Sequence, residues 1–294
     1  MLRPVGLALR ASPPVSGGEL LFLILLCLAC STSAFSAPQK TLLEAITGNK
    51  DETAAKEPAG TTEMERLDPD RPHLPEASTA AGKGRMLVEG GYTFNQSGQL
   101  SSASHDYPET LLRAGMLADW FEVRIGQNFI KQEHMPSGVT MTAQGAQDLY
   151  LGFKVAVTEQ KRYLPEIGVI PQMTVPTGNH LVTAGRTLPG VNNDGTWEIL
   201  KDRYGIEFVI GNNIVSDDPH HSHFEFDTGF THVFQVTRKL EAFGEWDAFY
   251  PSGSFDPAAG ARHYAVGGLV FFATRNVAVD FRAGAGLKLR RTGF

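Results

Sequence analysis

Apolar and polar residues alternate with a period of two along much of the chain after residue 84, and this alternation predicts β-strands. In the clearest segment, 276 to 290, Val277, Val279 and Phe281 alternate with Asp280 and Arg282. The other well-patterned segments are 119 to 129, 148 to 157 and 223 to 236, and weaker ones are 85 to 94, 109 to 117, 166 to 175, 191 to 200, 204 to 211, 240 to 250 and 262 to 273. About eleven half-apolar strands are therefore predicted.

Strand length and loop spacing favour one kind of β-structure. Many segments reach the 9 to 11 or so residues with which a tilted strand crosses a bilayer. Short turns alternate with long polar loops, which are predicted at 95 to 108, 130 to 146, 176 to 190, 212 to 222 and 251 to 261. Membrane barrels have such loops at one end and short turns at the other. We predict an all-β, antiparallel transmembrane β-barrel of about 12 strands; the alternative is a soluble barrel or sandwich whose apolar faces form a core.

The chain before the strands divides into two parts. Residues 1–36 have a positive start, a short apolar run and small residues before a cleavage site, as secretory signal peptides do. A retained anchor and a lipoprotein site at Cys30 are the alternatives. Residues 37–84 contain no aromatic residue and predict a disordered periplasmic tether, with a short helix at 42 to 46. The barrel is assigned to 85–294, and the predicted location is the outer membrane.

Composition excludes several functions. The chain has 26 Lys and Arg against 32 Asp and Glu, a net charge of −6, which disfavours broad binding to nucleic-acid phosphates. Both cysteines, Cys27 and Cys30, lie in the predicted signal peptide, so no cysteine-ligated metal site is expected downstream. We predict no cofactor, and the expected partners are outer-membrane lipid, the barrel-assembly machinery and a small solute.

If the apolar faces contact lipid, the charged faces line a lumen. The predicted lumen-lining residues are Glu89, Arg113, Glu122, Arg124, Asp148, Lys154, Glu166, Glu207, Glu225, Asp227, Glu241, Glu245, Asp247, Asp280, Arg282 and Lys288. A barrel of this size encloses a narrow lumen. We therefore predict a porin-like transporter for passive uptake of small solutes, and its alternative is an occluded structural or anchoring barrel whose charges pair across the interior.

Two further chemistries are weaker alternatives. Asp217, Asp218, His220, His221 and His223 form a candidate metal-ligand cluster, although neighbouring side chains of an extended loop diverge and a solvated loop is favoured. An outer-membrane hydrolase would need a serine nucleophile beside a histidine base. His232 and His263 are the strand histidines, but no serine is spaced to join either, so we predict that the protein is not an enzyme.

Several strings resemble a known family. Asp70-Arg71-Pro72-His73, the run from Glu89 to Phe94, the run from His105 to Arg113, the run from Asp119 to Gly126 and the run from Phe249 to Gly253 resemble planctomycete-type members of the MetA-pathway of phenol degradation family. The similarity covers about residues 70 to 289. It implies an outer-membrane β-barrel of about 12 strands and uptake of hydrophobic or aromatic compounds, and it identifies no binding residue.

Two positions depart from that family. His73 stands where the family usually has Asp. The family also has a final strand after the counterpart of Gly284 to Leu287, whereas this chain ends at Phe294. We expect the last strand to be missing, replaced, or supplied by the N-terminal tether.

Overall fold

The computed structural model describes residues 21–23, 30–31, 41–47, 68–97, 102–134, 140–218, 221–255 and 260–287. One short helix occurs among them, and no helix in these ranges is long and apolar enough to cross a membrane. The elements in chain order are β1 (Leu21–Leu23), β2 (Cys30–Ser31), α1 (Leu42–Thr47), β3 (Met86–Ser97), β4 (Ser102–Gly115), β5 (Phe121–His134), β6 (Met141–Ala146), β7 (Leu149–Thr158), β8 (Glu166–Val175), β9 (Leu188–Leu200), β10 (Tyr204–Asp218), β11 (His221–Thr237), β12 (Leu240–Ser252), β13 (Arg262–Thr274) and β14 (Val277–Gly286).

The twelve strands β3 to β14 belong to one antiparallel sheet in which each strand pairs with its neighbours in sequence, except that β6 and β7 do not pair with each other. Both β6 and β7 pair with β5, so they make one strand that is interrupted at Gln147 and Asp148. Counted side by side, the described strands β3 to β14 therefore occupy eleven positions, the number that the alternation predicts.

The two edges of this sheet meet at the N-terminal segment. Leu21–Leu23 pairs with β14, with Phe22 opposite Ala283, and also lies beside β3. Cys30–Ser31 pairs with β3. The sheet thus curls into an antiparallel barrel in which β1 and β2 occupy the place between β14 and β3. These residues precede the predicted tether and belong to the predicted signal peptide, while residues after Leu287 lie outside the described ranges.

The barrel is apolar on its outer face and charged on its inner face. Alternate strand residues such as Ile125, Phe153, Phe230 and Phe281 are exposed although they are large and apolar. Their sequence neighbours on the other face are buried and charged, including Arg124, Lys154 and Asp280. This polarity is the reverse of a soluble barrel, in which the apolar face is buried.

Residues 68 to 81 lie inside the barrel. We call Asp68 to Ala81 the inner segment. Leu74, Ala77, Ser78 and Ala80 of this segment are buried, and its residues bond with side chains from nine of the strands around the barrel. The prediction of a disordered tether over 37–84 is therefore wrong for residues 68–84. The short helix predicted at 42 to 46 corresponds to α1.

The long loops are shorter than predicted because strands extend into them. The predicted loop at 212 to 222 is largely strand, since β10 ends at Asp218 and β11 begins at His221. The predicted loop at 95 to 108 likewise contains the end of β3 and the start of β4. A long connection remains between β8 and β9, at 176 to 187.

Candidate functional site in the barrel interior

A glycine turn carries the chain from the inner segment into β3. Gly82 and Gly84 both have positive φ, which glycine adopts without steric cost. The N–H of Gly84 donates to the carbonyl of Gly115 at 2.9 Å, and the N–H of Gly115 donates to the carbonyl of Arg85 at the same distance. Gly115 has no room for a side chain, since a Cβ there would lie 1.7 Å from the Gly82 carbonyl oxygen. The turn therefore fixes where the inner segment enters the lumen.

Asp70 is the centre of the charged interior. Its carboxylate accepts from the Lys154 ammonium at 2.7 Å, lies 3.2 Å from the Arg113 guanidinium and bonds with Arg124. All three cations are almost fully buried. Burial alone would raise the pKa of Asp70, but the three cations hold it well below its usual range. Asp70 is consequently a permanent anion that joins β4, β5 and β7 to the inner segment.

Two glutamates balance the remaining charge of the same cluster. Arg113 donates to both carboxylate oxygens of Glu122, at 2.9 and 3.0 Å, and to Glu89 at 3.1 Å. Glu89 also accepts from the Asp70 backbone N–H at 3.1 Å, and Glu122 accepts from the Ala81 N–H at 2.7 Å. Every carboxylate of the cluster is thus bonded to a cation or a backbone donor. Such networks contribute specificity more than net stability, while removal of one member leaves a buried charge uncompensated.

His73 fixes the segment on the opposite wall. Its Nδ1 lies 2.7 Å from a Glu207 carboxylate oxygen, and its ring packs edge-on against Phe243 with centroids 4.3 Å apart. Burial alone would lower the pKa of His73, but Glu207, assisted by Glu245 and Glu241, raises it to about 9. His73 is therefore a cation at neutral pH.

Carboxylates and cations of the wall also bond with the backbone of the inner segment. Glu245 accepts from the Leu74 N–H at 2.9 Å, Asp194 accepts from the Glu76 N–H at 2.7 Å, and Arg282 donates to the Pro72 carbonyl at 2.7 Å. The Ser78 hydroxyl donates to Glu166 at 2.6 Å. The extended segment cannot pair its backbone with a strand, so these side chains satisfy its donors and acceptors.

One side of the interior is apolar. Inward-facing Phe243, Phe249, Val270 and Phe272 are buried on β12 and β13, and they belong to two clusters that include Leu74 and Ala81 of the inner segment. We call the buried wall residues of these clusters, with Val266, the apolar stripe. They are Leu87, Val209, Phe243, Phe249, Tyr264, Val266, Val270, Phe272 and Ala278. The alternation does not reveal the stripe because β13 is apolar on both faces. The lumen is accordingly amphipathic, and its buried cationic cluster of Arg113, Arg124 and Lys154 lies on β4, β5 and β7.

The inner segment separates two cavities. One, of about 250 Å³, lies toward the loop end and is lined by Asp106, Tyr150, Asn213, Asp227 and Tyr264 among others. The second, of about 390 Å³, lies toward the turn end and is lined by Arg85, Glu241, Val270 and Phe272 among others. Arg71 and His73 line both cavities. The part of the inner segment around these two residues therefore divides the lumen.

Most of the predicted lumen-lining residues lie on the inner face of the barrel. Some of them contact the inner segment, and others line one of the two cavities. Those that contact the inner segment are Glu89, Arg113, Glu122, Arg124, Lys154, Glu166, Glu207, Glu245 and Arg282. Glu225, Asp227 and Asp247 line the loop-side cavity, and Glu241 lines the turn-side cavity. Asp280 is buried, and Lys288 lies outside the described residues.

Asp148 does not have the predicted role. It accepts from the Gly178 N–H at 3.0 Å, the Thr183 hydroxyl at 2.6 Å and the Ala184 N–H at 2.9 Å. It therefore anchors the connection between β8 and β9. The interruption between β6 and β7 explains the difference, because it removes Asp148 from the regular alternation. In addition, the sequence prediction missed the interior carboxylates Asp106, Glu109 and Asp194.

The structure describes most residues of the candidate metal cluster and both strand histidines of the hydrolase alternative. His221 and His223 each place Nδ1 against Asp217, at 2.6 and 2.7 Å. His220 and the Asp218 side chain are outside the described atoms, and the described residues contain no group of three or more His, Cys, Asp or Glu arranged to hold a metal ion. His232 lies 2.8 Å from the Tyr204 hydroxyl, and His263 packs against Trp246.

Fold and interior together define a class of protein, an antiparallel β-barrel with an apolar exterior, a charged interior and an N-terminal segment inside the lumen. The profile of the MetA-pathway of phenol degradation family matches residues 70–294, so the chain belongs to this family. Comparison with curated proteins finds no significant match. Among solved structures, the crystal structure of an outer membrane channel from Pseudomonas putida F1 is similar, at 10% identity and a TM-score of 0.45, over 95% of this chain and 100% of that one.

Proposed function

We propose that the protein is a narrow outer-membrane channel for passive uptake of small solutes. The observation that carries this proposal is the pair of cavities on either side of the inner segment, which share Arg71 and His73 as lining residues. A solute that passes between the two cavities has only this short stretch of chain to displace.

The membrane location follows from the polarity of the barrel wall. Phe230, Phe234, Leu269 and Phe271 are large apolar residues on the exposed outer face. Such a surface would favour aggregation in water and is stabilised by contact with lipid acyl chains. The signal peptide predicted in residues 1–36 would direct the chain out of the cytoplasm, and the barrel-assembly machinery would insert it. β1 and β2 belong to the wall only while this segment is retained.

The solute class is suggested by the two sides of the lumen. The apolar stripe offers Tyr264 and Val266 to the loop-side cavity and Val270 and Phe272 to the turn-side cavity. Carboxylates outnumber arginines in the loop-side cavity, at seven to three. Small amphipathic molecules that are neutral or cationic would contact the apolar stripe with their apolar part and the carboxylates with their polar part, whereas anions would be repelled. Hydrophobic or aromatic solutes belong to this class.

The second candidate function is a closed structural barrel. The buried bonds of Asp70 with Arg113, Arg124 and Lys154 favour it, because they resist withdrawal of the inner segment. In that case the interior charges stabilise the barrel wall, and no solute passes through the lumen.

Measurements on the purified full chain distinguish the two candidates. The protein is reconstituted into planar bilayers and into liposomes, and correct folding is checked by heat-modifiable migration on gels. A channel gives small, cation-favouring conductance, together with liposome swelling in small neutral solutes. A heat-modifiable barrel without conductance or swelling would contradict the channel and support the structural barrel, and marked anion selectivity would contradict the proposed solute class.

A further inference from the structure

Oδ1 of Asn95 and Oδ1 of Asp106 are buried oxygen atoms of the loop-side cavity, and neither accepts a hydrogen bond from a described residue. The two residues are 3% and 7% exposed. A buried acceptor without a donor costs free energy, so its persistence calls for an explanation such as a missing ligand. The amide and the carboxylate are independent indications of the same kind of ligand, one that donates hydrogen bonds.

The two side chains are neighbours on the inner wall. Asn95 of β3 pairs with Ser104, and Asp106 of β4 pairs with Thr93, so Asn95 and Asp106 are diagonal neighbours. Diagonal positions on adjacent antiparallel strands are about 7 to 8 Å apart. A small donor group between them can therefore reach both oxygens. The Asn95 amide nitrogen is already directed to the Ser104 hydroxyl, at 3.3 Å, which leaves its oxygen for the ligand.

The charge around this position favours a cation. Glu109, the nearest carboxylate along β4, is bonded to Arg71 at 2.6 Å and to the Thr93 hydroxyl at 2.8 Å. The other two arginines of the cavity are also engaged, Arg124 with Asp70 and Glu76 and Arg282 with the Pro72 carbonyl. No ion pair joins Asp106 to any described residue. Its carboxyl group is therefore available for a ligand, and an ammonium ion placed against it would favour the ionised form.

We propose that the loop-side cavity binds a small organic ammonium ion, with the ammonium between Asp106 and Asn95 and the apolar part of the molecule in the remainder of the cavity. An ammonium has only donors, which match the two acceptors. Leu111, Tyr264 and Val266 line the same cavity and provide apolar surface. This inference rests on the proposed channel function, because it names a solute for the same lumen.

The test is calorimetric titration of the detergent-solubilised full chain with benzylamine and with its neutral counterpart, benzyl alcohol. The wild type is expected to bind the amine about tenfold more tightly than the alcohol, since the charge-assisted bond is lost in the alcohol. D106N should weaken amine binding about tenfold. Because Asp106 Oδ1 accepts from no described residue, D106N is expected to fold, and heat-modifiable migration verifies this.

The matched control is E225Q. Glu225 lines the same cavity but is already ion-paired with Arg262, so its substitution should change amine binding by less than about threefold. Equal binding of amine and alcohol, unchanged affinity in folded D106N, equal losses in D106N and E225Q, or no amine binding by the folded wild type would each overturn the site. Amine binding without conductance would refute the channel function but support the ammonium site. Conductance without amine binding would support the channel function but refute the ammonium site.

Discussion

The Asp70 carboxylate accepts a hydrogen bond of 2.7 Å from the Lys154 ammonium, although 84 positions separate the two residues. Asp70 belongs to the inner segment and Lys154 to β7 of the barrel wall. The same carboxylate also meets Arg113 and Arg124. One carboxylate therefore contacts three buried cations and holds the segment across the lumen, while Glu89 and Glu122 supply further negative charge.

Substitution of Asp70 should release the inner segment. D70N leaves Arg113, Arg124 and Lys154 with too little negative charge, and breaking a buried pair typically costs about 3 to 5 kcal/mol. We expect faster hydrogen exchange of the amides of Leu74, Glu76 and Ala81, with the strand amides unchanged. D68N is the matched control, since among the described residues the Asp68 carboxylate bonds with the Thr79 hydroxyl of the inner segment itself and with none of the three cations. Unaltered exchange in D70N would show that the cluster does not hold the segment.

The conductance should depend on pH through His73. Its pKa is raised from 6.5 to about 9, so its ion pair with Glu207 is fully present below about pH 6.5 and is lost as the pH rises through about 9. The shift corresponds to about 3 kcal/mol of segment docking. Conductance in planar bilayers should therefore increase between about pH 8 and about pH 10. H73Q, which cannot titrate, should lack this step, and a step that persists in H73Q would exclude His73 as its origin.

Gly115 should be intolerant of a side chain. In G115A the new Cβ would meet the Gly82 carbonyl oxygen at 1.7 Å, so the glycine turn could not dock and the inner segment would be displaced. We expect a reduced yield of heat-modifiable barrel. The control is G244A, because nothing lies within 4 Å of a Cβ at Gly244. Equal yields for the two variants would contradict the observed entry of the segment.

A positive charge on the outer face should impair membrane assembly. Phe230, 46% exposed, lies near the middle of β11, and a Lys facing lipid at mid-depth costs about 2 to 4 kcal/mol. F230K should therefore lower the urea concentration at which the barrel unfolds in liposomes. Y163K should not, because Tyr163 is 88% exposed in the turn between β7 and β8. The same urea midpoint for both variants would indicate that the outer face does not contact lipid.

The strands of the barrel wall could be predicted from sequence more completely than the inner segment and its contacts in the lumen. A period of two assigns Arg124 and Lys154 to one face and Ile125 and Phe153 to the other, and no tertiary information is needed for this. The pattern fails where both faces are apolar, as in β13, and where the strand is interrupted, as at Asp148. For this reason the apolar stripe and the role of Asp148 became apparent only in the structure.

The inner segment escaped prediction for a different reason. Asp70, Arg71 and Glu76 give it the composition of a disordered tether, because such a sequence buries too little apolar surface to fold alone. Its order comes from a wall that supplies opposite charges, such as Arg113 and Lys154, at the right positions. Local sequence cannot reveal partners that lie on other strands. The Asp70-Arg71-Pro72-His73 string was the available signal, and the resemblance gave it no role.

The central claim is that the inner segment divides the lumen of a barrel. Its most direct test is the single-channel conductance of the wild type and D70N, measured side by side at about pH 7. Both proteins are first shown to be heat-modifiable. The account predicts small openings for the wild type and openings roughly threefold larger or more for D70N, because a released segment leaves the lumen free. Equal conductance in the two proteins, or no conductance in either, would contradict it.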